Sequence, residues 1–124
     1  FRLQQEYIFF YLDTLEIIRA YPQIGVIHQE HITFQVGQLK TMLHFNMARG
    51  ALIPEPQPDI FNRLALQIWM TVDYWHNQQL VRGATEHSEK AYLEGVWALL
   101  IPYFTKMGQQ EYKQMLHQPY DFFF

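Results

Sequence analysis

A chain of 124 residues has room for one domain with a real core and too little for two of ordinary size. Hydrophobic residues at 49% and aromatics at 17% exclude the polar, aromatic-poor composition of disordered chains. Nine Lys+Arg against twelve Asp+Glu give a formal charge of -3, with no overall pull toward phosphate backbones. The absence of cysteine excludes disulfides, thiolate metal sites and a cysteine nucleophile, and permits a reducing cytosol.

The opening "FRLQQEYIFF" is already in amphipathic stride at Phe1, without an initiator Met, a charged leader or a cleavage site, and reads as a piece of something longer. Leu3, Tyr7, Phe10, Leu15, Ile17 and Ile18 recur mostly three or four apart. This spacing predicts one helix of about five turns ending at Tyr21-Pro22, where proline disfavours continuation. Apolar residues nearly encircle it, which predicts a central position. Its longest apolar run, Tyr7 to Leu12, is far short of the roughly 18 residues of a membrane span.

A second helix is predicted over Gln23 to Arg49, with Ile32, Val36, Leu39 and Leu43 in one stripe and Ile27, Phe34, Met42 and Phe45 in another beside it. Gly50 closes it as a left-handed cap residue. The proline-rich "LIPEPQP" over 52–58 is a stiff connector, and Asp59 is placed to cap the next helix. That third helix is predicted over Ile60 to Arg82 from Phe61, Leu64, Ala65, Ile68, Val72 and Trp75, with Gly83 as its stop. A fourth is predicted from Ser88 toward Phe104 through Tyr92, Val96, Leu99, Leu100 and Tyr103. Thr105 opens a short fifth segment, and the tail "QPYDFFF" is left unplaced. With no sustained alternation of the strand type and no internal repeat, the fold class is all-α, a bundle of four long helices plus a short C-terminal helix, in a single domain over 1–124.

Chemical signatures are sparse. His28 and His31 stand three apart on a helix face, close enough for both imidazoles to reach one metal, but no third ligand stands at matching spacing. No Glu stands three before any of the six histidines, against the pattern of carboxylate-bridged di-iron bundles. Asp13 and Glu16 lie on the polar remainder of an apolar helix, and Ser88, the only serine, is explained as a cap. Signatures for nucleotide binding, acyl transfer and metalloprotease chemistry are missing. No catalytic residue, metal or cofactor is therefore expected. What remains in excess is aromatic surface on the third and fourth helices, from Trp69, Tyr74, Trp75, Tyr92, Trp97 and Tyr103, enough to serve both an internal core and a second subunit.

The order of segments resembles the C-terminal domain of TetR-family repressors, in the branch described as bacterial transcriptional repressor. Four stretches carry the resemblance: "FRLQQEYIFFYLDTLEIIRAYP", "RGALIPEPQPDIFNRLALQIWMTVDYW", "VRG" and "YLEGVWALLIPYFT". It implies a transcription regulator and not an enzyme, with DNA bound through an N-terminal helix-turn-helix domain that this sequence lacks. It further implies a homodimer formed through the last two long helices, and a pocket for a small hydrophobic or amphipathic effector. A cytoplasmic, non-membrane location goes with that reading.

Helix-face reasoning nominates Phe10, Thr14, Leu39, Met42, Trp69 and Asp73 for the pocket, because Thr14 and Asp73 are polar groups embedded in apolar faces. For the dimer interface it nominates Ile68, Val72, Trp75, Val96, Leu100 and Tyr103. Two rivals belong to other classes: a small helical-bundle metal-binding protein or enzyme using His28 and His31, and a purely structural dimerisation module without a cavity.

Overall fold

Backbone capping sets the frame of this domain. The computed structural model describes residues 1–84 and 88–117, apart from the Phe9 side chain; the "QPYDFFF" tail lies outside the described residues. These residues form α1 (Arg2–Glu6), α2 (Ile8–Leu12), α3 (Thr14–Ala20), α4 (Pro22–Ala48), α5 (Ile60–Asp73), α6 (Trp75–Val81) and α7 (Glu89–Leu100). A 3-10 turn (Ile101–Tyr103) and α8 (Lys106–Leu116) complete the order. Among the described residues no strand occurs, and the fold is an all-α bundle.

Two glycines end helices as expected. Gly50 and Gly83 take φ of +87° and +70°, a region that favours glycine. At each, two backbone bonds close the end: Gly50 N to Met47 O at 3.1 Å with Ala51 N to Asn46 O at 2.9 Å, and Gly83 N to Leu80 O at 3.0 Å with Ala84 N to Gln79 O at 2.9 Å. Both are Schellman arrangements that satisfy otherwise orphaned carbonyls. At helix starts, Ser88 accepts from Ala91 N and Thr105 from Gly108 N, each at 3.2 Å.

The expected cap at Asp59 is corrected. Asp59 is left-handed, with φ +72°, and its carboxylate accepts from the Asn62 side chain at 2.9 Å. The orphan donor at Phe61 N is met instead by Glu55, from within the proline connector, at 3.0 Å.

The first predicted helix is three short ones, interrupted at Tyr7 (φ -116°, ψ 36°) and Asp13 (φ -115°, ψ 23°). Aromatic residues and aspartate are weak helix formers, so a break costs little here. Nor is this segment central: Leu3, Tyr7 and Leu15 are exposed, and Gln4 is the buried residue of α1. A segment apolar on all sides reads as buried, yet a small bundle has only one face to offer it. The third predicted helix likewise breaks at Tyr74 into α5 and α6.

The core lies between α4, α5 and α7. Phe61, Ala65, Ile68 and Val96 are 0% exposed, joined by Leu43, Leu64, Trp97 and Leu100. On α4 the Val36 and Leu43 stripe faces this core with Ile32 and Leu39 partly buried against it, whereas Ile27, Phe34 and Phe45 of the second stripe face outward.

A long-range corner locks this half together. Leu52 and Phe104 form an isolated antiparallel bridge, Ile53 N donates to Tyr103 O at 2.8 Å and Thr105 N to Ala51 O at 3.1 Å. Gly108 fits beneath it, where a Cβ would stand 2.1 Å from Ala51 O. An exposed Arg49–Glu111 pair at 2.6 Å ties α4 to α8.

Candidate functional site

On the opposite side of α4 the packing opens. A cavity of about 190 Å³ lies where α1, α2, α4 and the end of α5 meet, walled by Leu39, Met42, Trp69 and Val72, with Gln4, Tyr11, Gln35, Gln38 and Asp73 supplying polar groups. A second space of about 290 Å³ adjoins it and shares Tyr11, Gln35 and Asp73; Phe10, Ile24, Ile27, His28 and His31 form its other walls. Together they reach the size of small-molecule pockets, roughly 300–1,000 Å³, with the expected mix of apolar wall and few polar groups. A third space beneath α8, lined by Leu52, Trp97 and Phe104 among others, is only about 80 Å³.

The polar lining is built by specific bonds. The Trp69 indole N–H donates to Gln35 Oε1 at 3.1 Å, which fixes both side chains across the α4–α5 seam. Gln4 donates its amide to the Val72 carbonyl at 2.7 Å, at the α5–α6 break, and so fastens α1 to the end of α5. Its Oε1 is buried without a hydrogen-bond partner. Asp73, the last residue of α5, is half-buried, and its carboxylate makes neither a hydrogen bond nor a salt bridge with the described residues.

Electrostatics follow from this burial. Desolvation pushes the Asp73 carboxyl above the ordinary value of 3.8, and His28 and His31 pull it partly back. The Tyr11 phenol is raised by burial and then by the Asp73 charge. Burial raises Tyr92 as well, so both phenols stay protonated.

Four of the six pocket nominees, Leu39, Met42, Trp69 and Asp73, come together in the first cavity, and Phe10 lies on the adjoining one. Thr14 lines neither; its hydroxyl donates to the Phe10 carbonyl one turn back. Gln4, Tyr11, Gln35 and Gln38 were missed. Gln35 and Met42 stand seven apart on α4, a spacing that puts them on one helix face, whereas Gln4 and Tyr11 belong to separate helices and share no such signal.

The interface nominees divide. Ile68, Val96 and Leu100 are inside the chain's own core, and a side chain with no exposed surface has none to offer a second subunit. Val72, Trp75 and Tyr103 are half-buried, with Trp75 edge-on to Tyr92 at 5.6 Å and Tyr103 against Phe61 at 5.8 Å. The outward apolar residues of α5 are Leu66, Met70 and, just past its end, Tyr74, each four apart.

His28 packs edge-on to Phe10 at 5.3 Å. Among the described residues no three His, Asp or Glu side chains converge closely enough to hold a metal ion. No described helix is long and apolar enough to cross a membrane.

Fold and site therefore define a class: an all-helical bundle with a roomy concavity walled by aromatic and amide side chains, without a metal cluster among its described residues. The family model described as "TetR: Bacterial transcriptional repressor" matches residues 1–112, and the chain belongs to that family of transcription regulators. No curated protein and no solved structure matches the chain.

Proposed function

We propose that this domain senses a small effector and forms homodimers on behalf of a TetR-type transcription regulator. The observation that carries the reading is the paired cavity at the junction of α1, α2, α4 and α5. It is the roomier side of the bundle, it is lined by Trp69, Tyr11 and Leu39, and it keeps an unpartnered acceptor on Gln4. Occupancy would act on the elements that meet there, because α1 is fastened to α5 through Gln4 and Val72. An effector that binds one arrangement of α1 more tightly than another shifts the population toward it.

Dimerisation is assigned to the outer faces of α5 and α7, in place of the buried Ile68, Val96 and Leu100. Leu66, Met70 and Tyr74 supply apolar surface there, and exposed Ile101 follows α7. Obligate interfaces of this kind bury on the order of 2,000 Å² or more. DNA contact is assigned to a part of the regulator outside these residues, on the ground of their negative formal charge. A cytoplasmic location accompanies the regulatory role.

Sedimentation of the chain tests the dimer: a dimer at micromolar concentration is expected, and Leu66→Glu with Met70→Glu should yield folded monomer. A folded monomer from the unaltered chain contradicts the assignment. The pocket is tested by screening small amphipathic compounds for thermal stabilisation, which ligand binding to the folded state produces by mass action.

A further inference from the structure

Resting on the pocket reading above, we propose that the effector is an amphipathic cation, an amine whose ammonium is held by Asp73 and Gln4 and whose apolar body lies against Trp69, Tyr11 and Leu39.

The lining holds one carboxylate and no Lys or Arg beside it. Asp73 brings a carboxylate with no bonded partner among the described residues, and Gln4 brings an unpartnered buried amide oxygen. Gln35 Oε1 is already engaged by the Trp69 N–H, and the Gln4 amide N–H by the Val72 carbonyl. A guest that brings a positive charge matches the unpaired carboxylate, and an ammonium carries up to three N–H donors for it.

Three further features favour a cation. Asp73 ends α5, where the aligned peptide dipoles present their negative pole and anions are disfavoured. The Trp69 and Tyr11 rings flank the same space, and aromatic faces attract cations. Burial leaves the Asp73 carboxylate short of solvation that a counter-charge would restore. The groups of opposite tendency are His28 and His31, which line the adjoining space and lower the Asp73 pKa when charged. An anionic guest would have to use them, in sight of Asp73.

A matched series on one skeleton decides the matter: 4-phenylbutylamine, 4-phenylbutanol and 4-phenylbutyrate, titrated into the chain by calorimetry at neutral pH. The amine is expected to bind about tenfold tighter than either of the others, the scale of one charge-assisted hydrogen-bonded pair. That preference should vanish in Asp73→Asn and survive in Asp59→Asn, an exposed carboxylate remote from the cavity. Gln4→Leu provides a second arm should Asp73→Asn fold poorly; it should weaken the amine several-fold and leave the butyrate unchanged. Tightest binding by the butyrate, or equal binding by all three, overturns the cation assignment while leaving the pocket standing. Binding by none at millimolar concentration overturns both.

Discussion

The two sides of α4 differ in how they are packed. On one side α5 and α7 close on Leu43 and Val36 with four residues at zero exposure, and the corner of 51–53 against 103–105 is stitched by backbone bonds. On the other side α1, α2 and α3 are short and interrupted, their described apolar residues are half-buried or exposed, and the space beneath them is shared among amides, a phenol and a carboxylate. The first side has the composition of a folding core. The second retains polar groups whose burial without partners is costly, an arrangement that a ligand can complete. Elements that move on binding come from the less stable part of a domain, and α1 to α3 qualify by their sparse burial.

Truncation should separate the two sides most sharply. Phe61→Ala removes a side chain with no exposed surface and should cost about 3–5 kcal/mol in denaturant unfolding, whereas Leu15→Ala, on exposed α3, should stay within about 0.5 kcal/mol. Equal costs would erase the distinction.

Glycine substitutions sharpen it further. In Gly108→Ala the new Cβ meets the Ala51 backbone carbonyl, which is itself bonded to Thr105, so a loss of about 1–3 kcal/mol is expected. Gly37→Ala in α4 has nothing within 4 Å and should gain about 0.4–1 kcal/mol by restricting the unfolded chain. A neutral Gly108→Ala would mean that the 51–53 corner is not held as tightly as its hydrogen bonds indicate.

A smaller effect is expected at the cavity, and its sign is fixed by Asp73. A carboxyl whose pKa is raised on folding contributes stability in full below its ordinary value of 3.8, and that contribution is lost as pH rises through the raised value. Asp73→Asn should therefore melt higher than the unaltered chain at neutral pH and converge with it in acid. A lower melting temperature at neutral pH would indicate that Asp73 supports the ligand-free fold.

Much of the tight side was legible in the amino-acid order. The Phe61, Leu64, Ala65 and Ile68 stripe, the stops at Gly50 and Gly83, the cap at Ser88 and the segment start at Thr105 are local signals, and each acts within a turn or two of its own position. The bridge between Leu52 and Phe104 was not legible, because it joins residues 52 apart and leaves no local period. The breaks at Tyr7, Asp13 and Tyr74 were hidden for a related reason: apolar spacing of three and four continues across each interruption. Leu39, Met42, Trp69 and Asp73, nominated from their helix faces, all line the first cavity. Gln4 was passed over because a polar residue near a chain start reads as solvated until α5 is seen to pack on it. Ile68, Val96 and Leu100 were assigned outward because a wide apolar arc does not say which of its edges turns inward.

Hydrogen–deuterium exchange, with and without the phenylbutyl compound that binds tightest, tests most directly that the loosely packed side is the sensor. New protection is predicted in residues 1–12, 35–42 and 69–75, where the cavity is lined, with little change in residues 89–116. Protection confined to 89–116 would contradict that assignment.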